Sequence, residues 1–174
     1  MGIFRFIIVI TLLSLSLFGK ELAFFMPDDA KAAQKALINE FNSAEISIDV
    51  AIYSFTHKKI AKALQKAAKR GVKINIITDE KGANSRNRTS FLAKYKNITS
   101  YTLKGKQAKS KKYYGKMHLK IAIIDNKTVV FGSANWSYSA FGLNYENLFI
   151  SDKKDLVEKF TTYYKEILKE AKEY

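Results

Sequence analysis

The sequence predicts an α/β fold, an α-β-α sandwich built around a mixed β-sheet. Short apolar runs typical of buried strands alternate along the chain with longer segments in which apolar residues recur at helical spacing. This alternation favours helices packed against a sheet. The chain has 174 residues and no internal repeat. We therefore expect one domain, long enough to bury a sizeable core.

The first half of the chain shows strand and helix signals in turn. Asp28 and Asp29 follow Pro27 and would place negative charge at the positive end of a helix. Thr56 can cap a second helix, and Gly71 can end it. The predicted elements are a strand over Glu21–Met26, a helix from Pro27 to about Asn42, a strand over 46–53, a helix over 57–70 and a buried strand over 72–78.

The second half continues the alternation after a polar loop over 79–88. A turn at Asn126-Lys127 separates two of its strands. The predicted elements are a short helix ending near Tyr95, strands over 97–103, 118–125, Thr128–Gly132 and 146–150, and a final helix over 153–172.

The most informative stretch runs from His118 to Asn135 and reads H-x-K-x4-D-x6-G-S-x-N. His118 and Lys120 lie in the apolar run His-Leu-Lys-Ile-Ala-Ile-Ile-Asp, which predicts a strand. Side chains two residues apart on a strand point to the same face, so an imidazole and a fixed cation would meet one phosphate together. The pattern suits chemistry on a phosphodiester without a metal ion.

Ser133 and Asn135 repeat this spacing of two residues after the next strand. Their side chains can donate hydrogen bonds to phosphate oxygens, and Gly132 leaves room for close backbone approach. We predict that Lys120, Ser133 and Asn135 bind the phosphate. A further carboxylate, Glu146, follows the motif.

The pattern resembles the signature of the phospholipase D superfamily. The chain is short, carries one copy of the motif, and has Ala51-Ile-Tyr-Ser-Phe-Thr56 after an early strand. In these features it is similar to the small bacterial nuclease branch, in which two single-motif chains pair to form one active site. The resemblance covers roughly residues 21–174. It implies a phospholipase D-like fold with one catalytic motif per chain, and a homodimer.

The resemblance also implies a two-step mechanism with His118, Lys120, Asp125 and Glu146 as catalytic residues. His118 of one chain would attack phosphorus and form a phosphohistidine, while His118 of its mate would protonate the leaving oxygen and then activate water. Lys120 and the other phosphate-binding residues would stabilise the added charge. Glu146 would accept the other imidazole N–H. Asp125 would hold the turn after its strand by hydrogen bonds rather than touch substrate.

A basic segment precedes the motif. Residues 104–116 include six lysines, a tyrosine pair and no acid. Lysines can contact phosphates and tyrosines can stack on unpaired bases, so we predict a nucleic-acid-binding lip, with a solvated, mobile loop as the alternative. The predicted binding residues are Lys104, Lys106, Lys109, Lys111, Lys112, Tyr113, Tyr114 and Lys116.

Composition narrows the chemistry. The formal net charge of +14 favours polyanionic partners, either nucleic acid or an acidic membrane surface. There is no cysteine, which excludes disulfides and thiolate chemistry. His57 is the only histidine besides His118, and its lysine neighbours predict an exposed residue at a helix start. Two histidines and scattered acidic residues provide few ligands for a metal ion, so we predict neither a metal nor another cofactor.

The N-terminal segment, residues 1–19, is predicted to lie outside the catalytic domain, which spans 20–174. Residues 6–18 form an uncharged, mainly apolar run. A bilayer span needs about 20 such residues, so this run suits a signal peptide better. Its cleavage signal is poor, which leaves an uncleaved membrane anchor as the alternative. Both alternatives predict export, either to the periplasm or to the inner membrane facing it.

Two functions fit this sequence. The first is a metal-independent endonuclease that cuts nucleic acid through a phosphohistidine, with single-stranded DNA favoured and RNA left open. The second is a membrane-associated lipid phosphodiesterase, similar to the single-motif cardiolipin hydrolases. The basic segment favours the nuclease, because lysines and tyrosines together match an unpaired polynucleotide.

Overall fold

The computed structural model describes residues 19–82 and 87–173. Its α-helices are α1 (Ala30–Ser43), α2 (Lys58–Lys69), α3 (Thr89–Leu92), α4 (Tyr138–Gly142) and α5 (Lys154–Glu170). Its strands are β1 (Glu21–Met26), β2 (Ser47–Ile52), β3 (Lys73–Asp79), β4 (Ile98–Gln107), β5 (Tyr114–Lys116), β6 (Lys120–Ile124), β7 (Thr128–Gly132), β8 (Glu146–Ser151) and β9 (Lys172–Glu173).

The strands form one sheet in the order β1-β8-β7-β6-β2-β3-β4-β5, and β9 pairs with β4 beside this path. β3 pairs in parallel with β2 on one side and with β4 on the other. The remaining pairs are antiparallel. The predicted mixed sheet is therefore confirmed. The carboxyl ends of the parallel strands lie at the edge where open α/β sheets bind ligands.

Helices cover both faces of the sheet, which confirms the predicted α-β-α sandwich. The larger core contains the helical residues Leu37 and Leu64 together with Val50 of β2. Ala51 follows Val50 and belongs to the second core, which includes Tyr164 of α5. Successive strand residues thus serve opposite cores, because their side chains alternate between the two faces.

The basic segment is a β-hairpin rather than the predicted loop. β4 continues to Gln107 and pairs with β5 through Lys104↔Lys116 and Gln107↔Tyr114. We call residues 104–116 the lysine hairpin. Most of its side chains are exposed, so it has no apolar alternation from which strands could be predicted.

Several predicted boundaries are also wrong. α1 begins at Ala30 rather than Pro27, because residues 27–29 form a turn, in which the Asp29 carboxylate accepts a hydrogen bond from the Phe25 backbone N–H. His57, not Thr56, occupies the N-cap of α2. The short helix α4 was not predicted, and the last helix ends at Glu170 before β9.

The predicted signal peptide or anchor lies, apart from Gly19, outside the described residues. Within residues 19–82 and 87–173, no helix is both long enough and apolar enough to span a bilayer.

Candidate active site

His118 and Lys120 are in direct contact at the start of β6. The Lys120 ammonium lies 2.8 Å from Nδ1 of His118 and donates to the carbonyl oxygen of His118 at 2.7 Å. Lys120 is buried and begins the strand, whereas His118 precedes it and is exposed. The prediction that both residues lie within the strand is wrong for His118. The predicted pairing of imidazole and cation is nevertheless present.

The surroundings of this pair favour a neutral imidazole. Partial burial lowers the pKa of His118, and the charges of Lys120 and Lys116 lower it further, while Asp79 and Glu146 act weakly in the opposite direction. Burial also lowers the pKa of Lys120, and Glu146 counteracts part of that effect. An unprotonated imidazole has the free lone pair that attack on phosphorus requires.

Tyr53 is a site residue that sequence reasoning missed. Its ring centroid lies 4.5 Å from that of His118, and the ammonium groups of Lys116 and Lys120 lie 5.4 and 5.5 Å from its centre. Its backbone N–H donates to the Leu119 carbonyl at 3.0 Å. Tyr53 therefore provides one wall for the imidazole and a cation–π surface for both lysines.

Asp79 is a second missed residue. Its buried carboxylate accepts hydrogen bonds from the backbone N–H of Met117 at 2.9 Å and of Lys81 at 3.1 Å. The first bond fixes the chain immediately before His118. A signal existed for both missed residues, since Tyr53 directly follows β2 and Asp79 ends β3. These are the carboxyl ends of parallel strands, where site residues collect.

Ser133 is held between two residues of β8. Its hydroxyl donates to the Glu146 carboxylate and accepts from the Asn147 backbone N–H at 3.0 Å. The Ser133 backbone N–H donates to Oδ1 of Asn147, also at 3.0 Å. Gly132 permits this approach, because a Cβ there would lie 2.3 Å from the Asn147 carbonyl oxygen. The lack of a side chain at Gly132 thus allows close approach of the β8 backbone at Asn147.

Glu146 does not make the hydrogen bond predicted for it. Ser133 engages one carboxylate oxygen, and the Asn144 side chain approaches the other at 3.4 Å. Among the residues that the structure describes, no hydrogen bond joins Glu146 to His118. The negative charge of Glu146 still acts on His118, where it opposes part of the net lowering of the imidazole pKa. Its role in fixing the tautomer stays a prediction.

The Asn135 loop is tied to the segment after β2. Trp136 donates its backbone N–H to the Ser54 carbonyl at 3.0 Å, and its own carbonyl accepts from Thr56 and His57 at 2.8 and 2.9 Å. The side-chain Oδ1 of Asn135 is buried and has no hydrogen-bond partner within the described chain. A phosphate cannot donate to this oxygen, so only the Asn135 amide N–H groups can serve the predicted role.

His57 is buried under this loop, so its predicted exposure is wrong. Its ring is 2% exposed and stacks on Tyr138 with centroids 4.1 Å apart, and it also meets Phe141. Burial, followed by the charge of Lys59, lowers its pKa. The lysine neighbours suggested exposure, but the tertiary contact with α4 covers the ring.

Asp125 holds a different segment from the one predicted. Its carboxylate accepts hydrogen bonds from the backbone N–H groups of Glu45, Ile46 and Ser47 at 2.8–2.9 Å. Burial alone would raise the pKa of Asp125, but these three bonds, assisted by Lys127, lower it below its usual range. Asp125 therefore anchors the start of β2 to the end of β6.

A family model described as "Cardiolipin synthase, PLD-like domain" matches residues 37–168 of the chain. The chain belongs to the phospholipase D superfamily. Two solved structures are each similar to 90% of the chain. NucT from Helicobacter pylori is 40% identical, with a TM-score of 0.88 and 100% of that chain covered. The phospholipase D family member Nuc from Salmonella typhimurium is 28% identical, with a TM-score of 0.76 and 99% of that chain covered.

Curated members of the superfamily are similar over a shorter part of their length. Mitochondrial cardiolipin hydrolase of Canis lupus familiaris is 28% identical over 135 residues, which are 77% of this chain and 50% of that protein. The chain thus spans about half the length of the first curated relatives it matches. The motif and these relatives support hydrolysis of a phosphodiester bond as the activity of this superfamily member.

In this phospholipase D superfamily member, the lysines of the lysine hairpin differ in whether they form ion pairs. Lys104 pairs with Glu80 at 2.9 Å, and Lys106 pairs with Glu170 at 2.6 Å. The turn lysines at 109, 111 and 112 are exposed and form no ion pair with the described residues. Tyr113 and Tyr114 are exposed as well. The free positive charge is therefore concentrated at the hairpin turn.

A cavity of about 630 Å³ connects the hairpin to the motif. Its lining includes Lys104, Lys106, Lys116 and His118, the apolar residues Leu103, Met117, Leu119 and Ile167, and Tyr163, Glu166 and Glu170 of α5. Across the described ranges, no group of three or more His, Asp or Glu side chains is placed to hold a metal ion.

Proposed function

We propose that the protein is an endonuclease that hydrolyses single-stranded nucleic acid without a metal ion. The observation that carries this proposal is the lysine hairpin beside the His118–Lys120 pair. Lys116 lines both the cavity that contains His118 and a pocket formed with Lys112, Tyr113 and Tyr114, and these lysines and exposed tyrosines match the phosphates and bases of an unpaired strand. The similarity to NucT and Nuc over nearly the whole described domain also supports it.

The proposed reaction has two balanced steps. A neutral His118 imidazole forms an N–P bond as the P–O bond to the leaving oxygen breaks, and the imidazolium of His118 in a second copy protonates that oxygen. The second imidazole, now neutral, takes a proton from water. The resulting hydroxide attacks phosphorus and breaks the N–P bond. Lys120 and Asn135 donate to the phosphoryl oxygens throughout, and Ser133 does so once its hydroxyl turns from Glu146 towards the phosphate.

The need for a second imidazole supports a homodimer. The chain has two histidines, and His57 is buried beneath Tyr138, where it cannot reach a phosphate on the surface. A two-fold axis beside His118 would supply the missing group from the same residue of a second copy. We infer this arrangement from the chemistry of the reaction.

A lipid phosphodiesterase is the second candidate function. The curated cardiolipin hydrolases favour it, since they match three quarters of the chain. The motif would perform the same phosphoryl transfer on a lipid headgroup. The cavity lining is mixed, with apolar side chains beside the lysines, so it is the exposed lysines and tyrosines of the hairpin turn that favour a nucleic acid over a lipid.

One experiment separates the candidates. Purified protein is incubated with end-labelled single-stranded DNA, duplex DNA, RNA and cardiolipin vesicles, each with and without excess EDTA. We expect single-stranded DNA to be cleaved at the same rate with EDTA, and the vesicles to stay intact. Cleavage of cardiolipin alone would establish the second candidate, and loss of nuclease activity with EDTA, restored by magnesium or zinc, would refute the mechanism.

Export of the domain, to the periplasm or to the inner membrane facing it, remains part of the proposal. It depends on residues 1–19 and on their charge-free run. Fractionation of cells that produce the full chain, followed by detection of the domain in each fraction, tests it directly.

A further inference from the structure

A second, smaller pocket lies beside Ser133, on the side away from the lysine hairpin. It has a volume of about 280 Å³ and is lined by Phe25, Met26, Ser133, Tyr145, Glu146 and Asn147. A neighbouring groove shares Asn147 and includes His118 and Lys120 among its walls. The pocket therefore adjoins the candidate active site, and Ser133, a predicted phosphate-binding residue, forms part of its lining.

Two aromatic rings stand exposed at this pocket. Tyr145 is 93% exposed, and its side chain forms no hydrogen bond and no ring contact with the described residues. Phe25 is 59% exposed, and its one ring contact among the described residues is an edge-to-face contact with Phe149, with centroids 6.2 Å apart. Aromatic rings in water leave a large apolar area uncovered, and such residues next to an active site mark a surface that a ligand covers.

The charges of the pocket select the kind of ligand. Glu146 is the one charged residue among the six that line it, so a second phosphate would meet a carboxylate there. An uncharged planar group would not be repelled. Asn147 uses its Oδ1 to accept from Ser133, which leaves its Nδ2 as a free donor within the described chain. The aromatic rings can stack on the faces of a nucleobase, while the Asn147 amide and the Glu146 carboxylate can donate to and accept from its edge.

We propose that Tyr145 and Phe25 form a subsite for the unpaired base next to the scissile phosphate. This inference rests on the proposed nuclease function and names what restricts its substrate. The base stacks on Tyr145, with Phe25 as the opposite wall and Asn147 donating to the base edge. A base held in a duplex cannot enter, because its faces are already covered by its neighbours. Single-strand preference thus arises at this pocket as well as at the lysine hairpin.

The test compares Tyr145→Ala with Leu143→Ala. Leu143 lies in the same loop and is 78% exposed, but it does not line the pocket. Each variant is assayed on a single-stranded oligonucleotide and on the same backbone with abasic residues around one scissile bond. Loss of one base stack should lower kcat/KM of Tyr145→Ala on the normal strand by about 5- to 150-fold. On the abasic strand it should match wild type, and Leu143→Ala should match wild type on both.

Four outcomes would overturn the inference. Tyr145→Ala could cleave the normal strand as fast as wild type, or lose equally on both strands. It could also sediment as a smaller species than wild type, which would assign Tyr145 to contact between copies. Tyr145→Phe keeps the ring and should retain activity, so its loss would count against stacking too. If wild type cleaves neither strand, the proposed function itself fails, and this inference fails with it.

Discussion

The Lys120 ammonium lies 2.8 Å from Nδ1 of the His118 imidazole, so a cation is held against the proposed nucleophile. An ammonium can only donate, and a protonated imidazole can also only donate. Close contact between them therefore opposes protonation of His118. Activity then depends on every nearby charge that shifts the pKa of this one ring.

Lys116→Gln should raise the pKa of His118. Lys116 lowers that pKa in the wild type through its charge, so its removal makes protonation easier. The limb of the pH–rate profile that requires a neutral nucleophile should move to higher pH. The measurement is an NMR titration of the His118 ring, assigned with His118→Ala.

Lys109→Gln provides the matched control for this titration, since it carries the same charge change in the hairpin and does not act on His118. An unchanged His118 titration in Lys116→Gln, or an equal shift in the control, would contradict the electrostatic explanation.

Replacement of the three turn lysines, Lys109, Lys111 and Lys112, by alanine should weaken binding of all sequences alike. It should also flatten the plot of log affinity against log salt by about 0.7 per lost contact to a single strand. The control replaces Lys62, Lys66 and Lys69 on α2, which changes the net charge equally. Equal slopes for the two triple variants would mean that net charge, rather than the hairpin turn, controls binding.

Refolding of equal amounts of wild type and His118→Ala together tests the shared site. Random pairing gives about one quarter wild-type dimers, and a mixed dimer keeps only one of the two imidazole roles. Activity should fall to about a quarter of that from the same total of refolded wild type. A value of one half would show that each chain acts alone.

Asp125→Ala should destabilise the fold by about 2–3 kcal/mol, because three backbone N–H groups lose a charged acceptor and alanine tolerates a positive φ poorly. Asp125 has φ of 53°. Asp125→Asn should cost less, since its amide oxygen still accepts and asparagine tolerates this backbone. Urea unfolding of both variants measures the difference.

The contribution of Asp125 should depend on pH in one direction. Its pKa is lowered by folding, so its stabilisation is complete well above the ordinary value of about 3.9 and is lost as pH falls through the lowered one. The stability gap between wild type and Asp125→Ala should therefore narrow in acid. A constant gap from neutral to acidic pH would assign the cost to backbone conformation alone.

The sequence alone could predict the mixed sheet, from the alternation of strand and helix signals, and the pairing of His118 with Lys120, from their separation of two residues. For Tyr53 and Asp79 the sequence indicates only a position at the end of a strand, since each meets His118 or its neighbour through packing of distant strands. The environment of His57 was predicted wrongly because its covering ring comes from Tyr138, far along the chain. The lysine hairpin lacks the apolar pattern that reveals a strand.

Burial of His57 has a consequence for how such an enzyme behaves at low concentration. With its one other imidazole enclosed, a single chain has no means of supplying both roles of the proposed reaction. Specific activity should then fall on dilution below the dissociation constant of the dimer, and do so reversibly. Under the proposed mechanism, the enzyme would be active where it accumulates and would lose its activity as it disperses, without an inhibitor.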